Sequence, residues 1–313
     1  MITSIMKKDE FDQIIKFLID KDELFGYKVE SEKSPKKPYP MYYSKDVFDE
    51  FVSDMSEEHK KAYDNGAGGE LKPGQYPPKM ASVASSSRFC YLALRNGIDI
   101  TIDKEHIKGN PEFEYKCPIF SDDTIHAPHL DAFISDNNCY FEVKCHEIFD
   151  SHKIVMDKKY WDLVYGKGNK FGLEVKIKPN PMPETFEIPL SEFQLENQEF
   201  SMFDIKQLIC HLLGIANQSG SNKKLVYLFF RPDPLKKRGG SELYRKMTSL
   251  YDECLKEVTD KLCDEINIIF NSKPIKTFCQ NNNITLMAIA EKSAVMEPLT
   301  NKNLEVFYRE KEK

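Results

Sequence analysis

Asp131, Glu142 and Lys144 are the residues of this chain whose types and spacing can do chemistry. They fall in two short segments, Pro128-His129-Leu130-Asp131-Ala132-Phe133-Ile134-Ser135 and Cys139-Tyr140-Phe141-Glu142-Val143-Lys144-Cys145-His146, separated by Asp136-Asn137-Asn138. Apolar and polar residues alternate in both, the pattern of two half-buried strands, and the Asp-Asn-Asn cluster is turn chemistry. Alternation puts Leu130, Ala132 and Ile134 in one apolar set with Cys139, Phe141, Val143 and Cys145. His129, Asp131 and Phe133 fall in the opposite set with Tyr140, Glu142, Lys144 and His146. A two-residue turn at Asp136-Asn137 sets Asp131 across from Glu142. A turn at Asn137-Asn138 sets it across from Lys144, with Glu142 on the diagonal. In either register both acids and the lysine share a face. Facing carboxylates repel on a bare sheet, and a divalent cation between them removes the objection. The hairpin is therefore expected to hold a metal.

Mg²⁺ takes hard oxygen ligands, uses one or two carboxylates and keeps several waters. So held, it can activate water and neutralise charge on a phosphodiester. Asp131 and Glu142 are the expected ligands, with the carbonyl of Val143 as a third and Mn²⁺ as a substitute ion. Lys144, on the same side, is placed to polarise the water or to stabilise charge developing on the phosphate.

These strands need a scaffold, and the flanking sequence reads as one. Residues 9–25 carry Phe11, Ile14, Ile15, Leu18 and Ile19 at helical spacing. The Pro- and Lys-rich stretch 34–40 is irregular, and 44–64 is helical and acidic. Asn65-Gly66-Ala67-Gly68-Gly69-Glu70-Leu71 is a loop ending in a carboxylate. Ser85-Ser86-Ser87 offers an N-cap to a helix over 88–94, which Asn96-Gly97 stops. Glu112 to Cys117 reads as a strand before the hairpin, 203–216 as a strong helix, and Leu225 to Phe230 as a buried strand. Ser241 caps a long helix to about Ile266, and Ile284 to Ala290 reads as a last strand. This order predicts a mixed α/β protein. The expected divisions are a helical N-terminal region (1–66), a core (67–290) with a polar insertion near 147–200, and a C-terminal tail (291–313).

Composition bounds the partners. Hydrophobic residues at 41% and aromatics at 12% of 313 residues suffice for a core. A net charge of −6 argues against a generally basic nucleic-acid coat but leaves room for a local basic cleft. No apolar run approaches the roughly 20 residues that span a bilayer, and Met1 to Glu10 lacks the apolar core of a signal peptide. Eight cysteines without a CxxC pair fit reduced, buried thiols, so a cytoplasmic protein away from membranes is expected.

Rival sites are weaker. Glu174-Val175-Lys176 with Asp162 upstream repeats the acid-x-Lys pattern, but its flanks do not alternate. His126, His129 and His146 could suggest zinc, but alternation sends Cys139 and Cys145 to the other face. The Gly66 to Gly69 run lacks the Lys and Ser/Thr of a phosphate-binding loop.

The pattern resembles the PD-(D/E)xK nuclease superfamily, whose fold is restriction-endonuclease-like. Pro128-His129-Leu130-Asp131 is similar to a relaxed first half of its motif, with the Pro two residues further from the Asp than usual, and Glu142-Val143-Lys144 to the second half. The likeness covers mainly residues 70–231. It implies an α-β-β-β-α-β core, a mixed sheet flanked by helices. It also implies a further carboxylate on the helix before the first core strand, Glu70 by position with Glu114 as rival. A Gln on the following helix would be Gln207. More narrowly, Gly68-Gly69-Glu70-Leu71, Ser85-Ser86-Ser87 and Lys144-Cys145-His146-Glu147 resemble uncharacterised bacterial restriction-endonuclease-like proteins. The implied activity is a type II-like, Mg²⁺-dependent endonuclease cutting double-stranded DNA as a homodimer in a restriction-modification setting. Asp131, Glu142, Lys144 and Glu70 would be catalytic, and Gln207, His146, Lys236, Lys237 and Arg238 would contact nucleic acid. The alternative is a DNA-binding module of the same fold without turnover.

Overall fold

The computed structural model describes residues 13–15, 17–18, 42–66, 69–72, 77–120, 127–145, 151–231, 241–293 and 296–309. The linker at 34–40, His126, His146 and the basic run Lys236, Lys237 and Arg238 lie outside them. At the N-terminus, Gln13–Ile15 and Phe17–Leu18 are helical, with Ile14, Ile15 and Leu18 buried. Two short helices follow, α1 (Lys45–Ser53) and α2 (Glu57–Asn65), each capped by a serine hydroxyl, of Ser44 and of Ser56. Ile14, Leu18, Tyr43, Phe48, Met55 and Tyr63 share one hydrophobic core with the sheet. Phe51 meets Tyr91 edge-on at 5.6 Å, and Tyr63 stacks on Phe113 at 5.4 Å.

The serine triplet begins α3 (Ser86–Leu94), where the Ser85 hydroxyl accepts the Arg88 N–H at 3.1 Å. Gly97, at φ +78°, ends the turn after it, as only glycine does without strain. An antiparallel pair not anticipated from the sequence comes next: β1 (Ile98–Ile102) and β2 (Glu105–Gly109).

The main sheet holds six strands: β3 (Pro111–Lys116), β4 (His129–Ile134), β5 (Cys139–Lys144), β8 (Lys223–Phe230), β9 (Ile284–Glu291) and β10 (Leu304–Arg309). Their order is β10-β9-β8-β5-β4-β3. β3, β4 and β5 form an antiparallel meander; β5, β8 and β9 run parallel; β10 returns antiparallel on the edge. The segment 291–313, expected as a tail, thus contributes a strand, with Tyr308 buried, Leu304 and Phe307 partly buried and Val306 exposed on the edge. The protein is α/β, with this mixed sheet flanked by helices.

The hairpin turn is longer than expected. Residues 135–138 connect β4 to β5 as a turn of 3₁₀-helix closed by Asn138 in the left-handed region. Asn137 Oδ1 accepts the Lys108 N–H at 2.7 Å, and the Asn138 amide donates to the Ser221 carbonyl at 3.1 Å. These side chains tie the turn to β2 and to the entry of β8, which a two-residue turn could not do. The register Ala132↔Phe141, Phe133↔Tyr140, Ile134↔Cys139 is the one that sets Asp131 across from Glu142.

α4 (Ile205–Ala216) starts at Asp204, whose carboxylate accepts the Gln207 N–H at 2.9 Å. Its apolar residues Leu208, Ile209, Leu212 and Leu213 are buried. At Gly214 an added Cβ would lie 2.5 Å from the Cys117 carbonyl oxygen, so the helix sits flush on the chain leaving β3. α5 (Glu242–Asn271) and α6 (Lys273–Asn282) link β8 to β9. Between β5 and α4 lies the expected insertion, with a ribbon of β6 (Ile154–Asp157) and β7 (Thr185–Ile188) and an aromatic cluster of Trp161, Tyr165 and Phe186. Its base is closed by a bridge between His152 and Ser201. Glu265 of α5 reinforces the base, accepting the Met202 and Phe203 N–H groups at 2.7 and 3.1 Å.

A helical Gly→Ala exchange ordinarily adds about 0.5–1 kcal/mol. Gly214→Ala reverses the sign here and costs about 1–3 kcal/mol, because the methyl group has no room. Urea denaturation of the two proteins measures it; a more stable variant would show that the close approach is slack.

Candidate functional site

The site lies at the carboxyl end of β5, where the sheet changes from antiparallel to parallel pairing. In open α/β sheets ligands bind outside the carboxyl ends of strands. The β4–β5 ladder stops at Ala132↔Phe141, and past it the acids begin. Continuing the register by one pair brings Asp131 opposite Glu142. Asp131 Oδ2 accepts the Val143 N–H at 2.7 Å, so a carboxylate takes the place of a ladder bond where the strands part.

Glu142 is buried, and each of its oxygens faces a nitrogen. Oε1 lies 3.0 Å from Lys144 Nζ, and Oε2 lies 3.7 Å from His211 Nε2. Lys144 in turn donates to Gln207 Oε1 at 2.7 Å. Gln207 sits on the first turn of α4, so the cap at Asp204 that starts the helix also sets the height of the amide. Three of the residues expected to act together, Glu142, Lys144 and Gln207, are thus in one chain of contacts.

The extra carboxylate has two occupants. In the β3–β4 register Glu114 falls opposite Asp131, between the pairs Phe113↔Ala132 and Tyr115↔Leu130. Its φ of +54° is left-handed, which costs a non-glycine residue about 1–2 kcal/mol. Glu114 Oε2 lies 3.5 Å from His129 Nδ1. Glu70 is in a bend between α2 and α3, not on a helix as expected, because Gly69 at φ +68° breaks the chain just before it. Buried beside Glu114, Glu70 bonds to Ser87 and lies 3.6 Å from Lys79 Nζ. Of the two, Glu114 is the direct neighbour of Asp131.

Crowding of these acids has an electrostatic signature. Burial raises the Asp131 carboxyl well above the ordinary carboxylate range, and the charges of Glu142 and Glu114 raise it further. The Val143 N–H and Lys144 oppose this and are outweighed. Glu70 is raised too, chiefly by burial. Burial lowers His211, against the pull of Glu142.

Among the described residues no three His, Cys, Asp or Glu side chains converge as a ready-made metal centre. The donor set nonetheless fits Mg²⁺, which needs only one or two carboxylates and fills its shell with water. Buried Glu142 and partly buried Asp131, two hard-oxygen groups that repel each other, form such a set. Zinc fits less well: Cys139 and Cys145 are wholly buried in the core, and burial raises the Cys139 thiol.

Other expectations resolve on geometry. Glu174-Val175-Lys176 is irregular surface chain, with Lys176 over the Tyr165 ring at 4.0 Å and Lys178 bonded to Asp162 at 3.1 Å. It has no strand to carry a site. His211 was not singled out from the sequence. The available signal was its place four residues after Gln207, a polar side chain on a stripe otherwise made of Leu208, Leu212 and Ile215. No helix among the described residues is long and apolar enough to cross a membrane.

No protein-family model, curated protein or solved structure matches this chain, and the chemistry of the site rests on its own geometry.

A carboxyl raised in the folded state binds its proton more tightly there than in the unfolded chain. Stability therefore falls as pH rises from the unfolded value near 4 through the folded value, then levels. In EDTA, Asp131→Asn, which keeps an oxygen for the Val143 N–H, should be more stable than the parent at neutral pH. Its advantage should vanish below about pH 4. Urea unfolding across pH 3.5–8 checks this; parallel curves would contradict the crowding.

Proposed function

We propose that the chain is a Mg²⁺-dependent endonuclease of the PD-(D/E)xK kind, with a restriction-endonuclease-like core, hydrolysing phosphodiester bonds of DNA. The observation that carries the reading is Lys144 held between Glu142 Oε1 and Gln207 Oε1, beside Asp131 where its carboxylate accepts the Val143 N–H. The element order α3-β3-β4-β5-α4-β8 around it, interrupted by the β1–β2 pair and the insertion, supports the core.

Asp131, Glu142 and the Val143 carbonyl would hold the ion. When bound, Mg²⁺ supplies a Lewis acid for the scissile phosphate and makes water a stronger nucleophile. The protein's own residues do the rest. Lys144, restrained at two points, keeps its ammonium in one place without reorganising as phosphate charge develops. Gln207 accepts one Lys144 N–H while Glu142 faces the same ammonium from β5, so its position is set from two sides. Burial of Glu142 excludes water from its oxygens and strengthens their pull on a cation. The substrate is double-stranded DNA and the working form a homodimer, since cutting both strands takes two such centres.

Supercoiled plasmid with Mg²⁺ tests this. The purified chain should nick and linearise it, Mn²⁺ should substitute, and EDTA should stop the reaction. Glu142→Gln and Lys144→Ala should each slow cleavage by about 100-fold or more while melting near the parent temperature. Cleavage at the parental rate in Glu142→Gln would sink the site assignment. DNA retardation with no cleavage and no Mg²⁺ dependence would instead indicate a binding module.

A further inference from the structure

We infer that His211 is a positioning residue of this site, a single imidazole that ties three adjacent strands together and fixes where Glu142 stands relative to Asp131. The inference rests on the metal-site reading above. His211 is buried on α4, one turn beyond Gln207. Its Nε2 lies 3.7 Å from Glu142 Oε2 on β5, and its Nδ1 lies 3.5 Å from the Tyr227 hydroxyl on β8. It also hydrogen-bonds to the backbone of His129 on β4, two residues before Asp131.

Those contacts fall where the sheet has least of its own to hold it. β4 and β5 lose their ladder after Ala132↔Phe141, so nothing in the backbone past that pair sets their separation except the Asp131–Val143 bond. β8 is firmly registered to β5, with Glu142 paired to Tyr227. An imidazole bonded to β4 at one point and resting against Glu142 and Tyr227 transmits that register across the gap. Tyr227 is itself immobilised, with Phe203 edge-on at 4.9 Å and Phe270 at 6.0 Å. Tyr227's hydroxyl as donor to Nδ1 would leave the single proton on Nε2, which then serves the His129 backbone with Glu142 Oε2 3.7 Å away. Glu142 Oε1 belongs to Lys144, and His211 Nε2 stands 3.7 Å from Oε2, bounding the carboxylate on that side. Partners of this kind behind metal-binding carboxylates change metal affinity by about 10–100-fold when removed.

Direct Mn²⁺ binding to the full chain, without DNA, followed by calorimetry and by loss of the free-ion paramagnetic signal, reads this without relying on turnover. His211→Ala should weaken Mn²⁺ binding by about 10–100-fold and raise the Mn²⁺ needed for half-maximal plasmid cleavage in step, with the rate recovering at saturating ion. His211→Gln, whose amide can donate near the position of Nε2, should bind within a few-fold of the parent. Tyr227→Phe should fall between the two. His211→Ala binding Mn²⁺ like the parent overturns the inference, and so does His211→Gln as impaired as His211→Ala, because that pattern marks a packing role. If His211→Ala does not fold, the Tyr227→Phe and His211→Gln affinities decide on the same terms. A parent chain that binds no Mn²⁺ and cuts no plasmid brings down the nuclease reading as well, whereas an active, metal-binding parent with an indifferent His211→Ala removes this inference alone.

Discussion

Asp131 stands in for a piece of β-ladder. Where β4 and β5 separate, the Val143 N–H meets a carboxylate oxygen in place of a backbone carbonyl, and that substitution governs the surrounding structure. It opens the sheet enough to seat acids between strands while giving the Val143 N–H an acceptor. Glu114 and Glu142 then flank Asp131 from either side, and the left-handed backbone at Glu114 is part of what lets β3 reach it. The arrangement is electrostatically unfavourable, because like charges share a low-dielectric setting.

α4 is the counterweight. Its apolar stripe packs on the sheet, its cap at Asp204 sets its starting point, and Gly214 lets its far end lie against the chain after β3. One face therefore delivers two polar side chains, Gln207 and His211, to two different atoms of the β5 motif. Lys144 and Glu142 are held by a helix whose position is fixed by core packing, so their geometry inherits the rigidity of the core.

Legibility in the sequence followed the range of the forces involved. Asp131, Glu142 and Lys144 could be set on one face because alternation along a strand is a local property, and one of the two registers considered is the observed one. The Ser85 cap and the buried run of β8 were likewise local. The turn was misjudged because Asn137 and Asn138 bond to residues far away in sequence. β10 looked like a tail because an edge strand half made of polar residues gains its partner only when β9 is in place. β1 and β2 were overlooked although Ile98, Ile100 and Ile102 alternate, since five-residue strands leave a brief signal. The conformation at Glu114 and the role of His211 arise from packing between elements, which no single stretch of chain records.

The insertion leaves the core immediately after Lys144 and re-enters at Asp204, the cap of the helix that carries Gln207. Its two feet are therefore the two ends of the Lys144–Gln207 hydrogen bond, and they are strapped together by the His152–Ser201 bridge and by Glu265. Closing a loop at its base makes the free energy of the core depend only weakly on how long the loop is. The span between the feet is thus a cassette: its length, charge and shape can drift through evolution while the atoms beneath it stay in register. A single scaffold of this design can change what it touches without retuning how it acts.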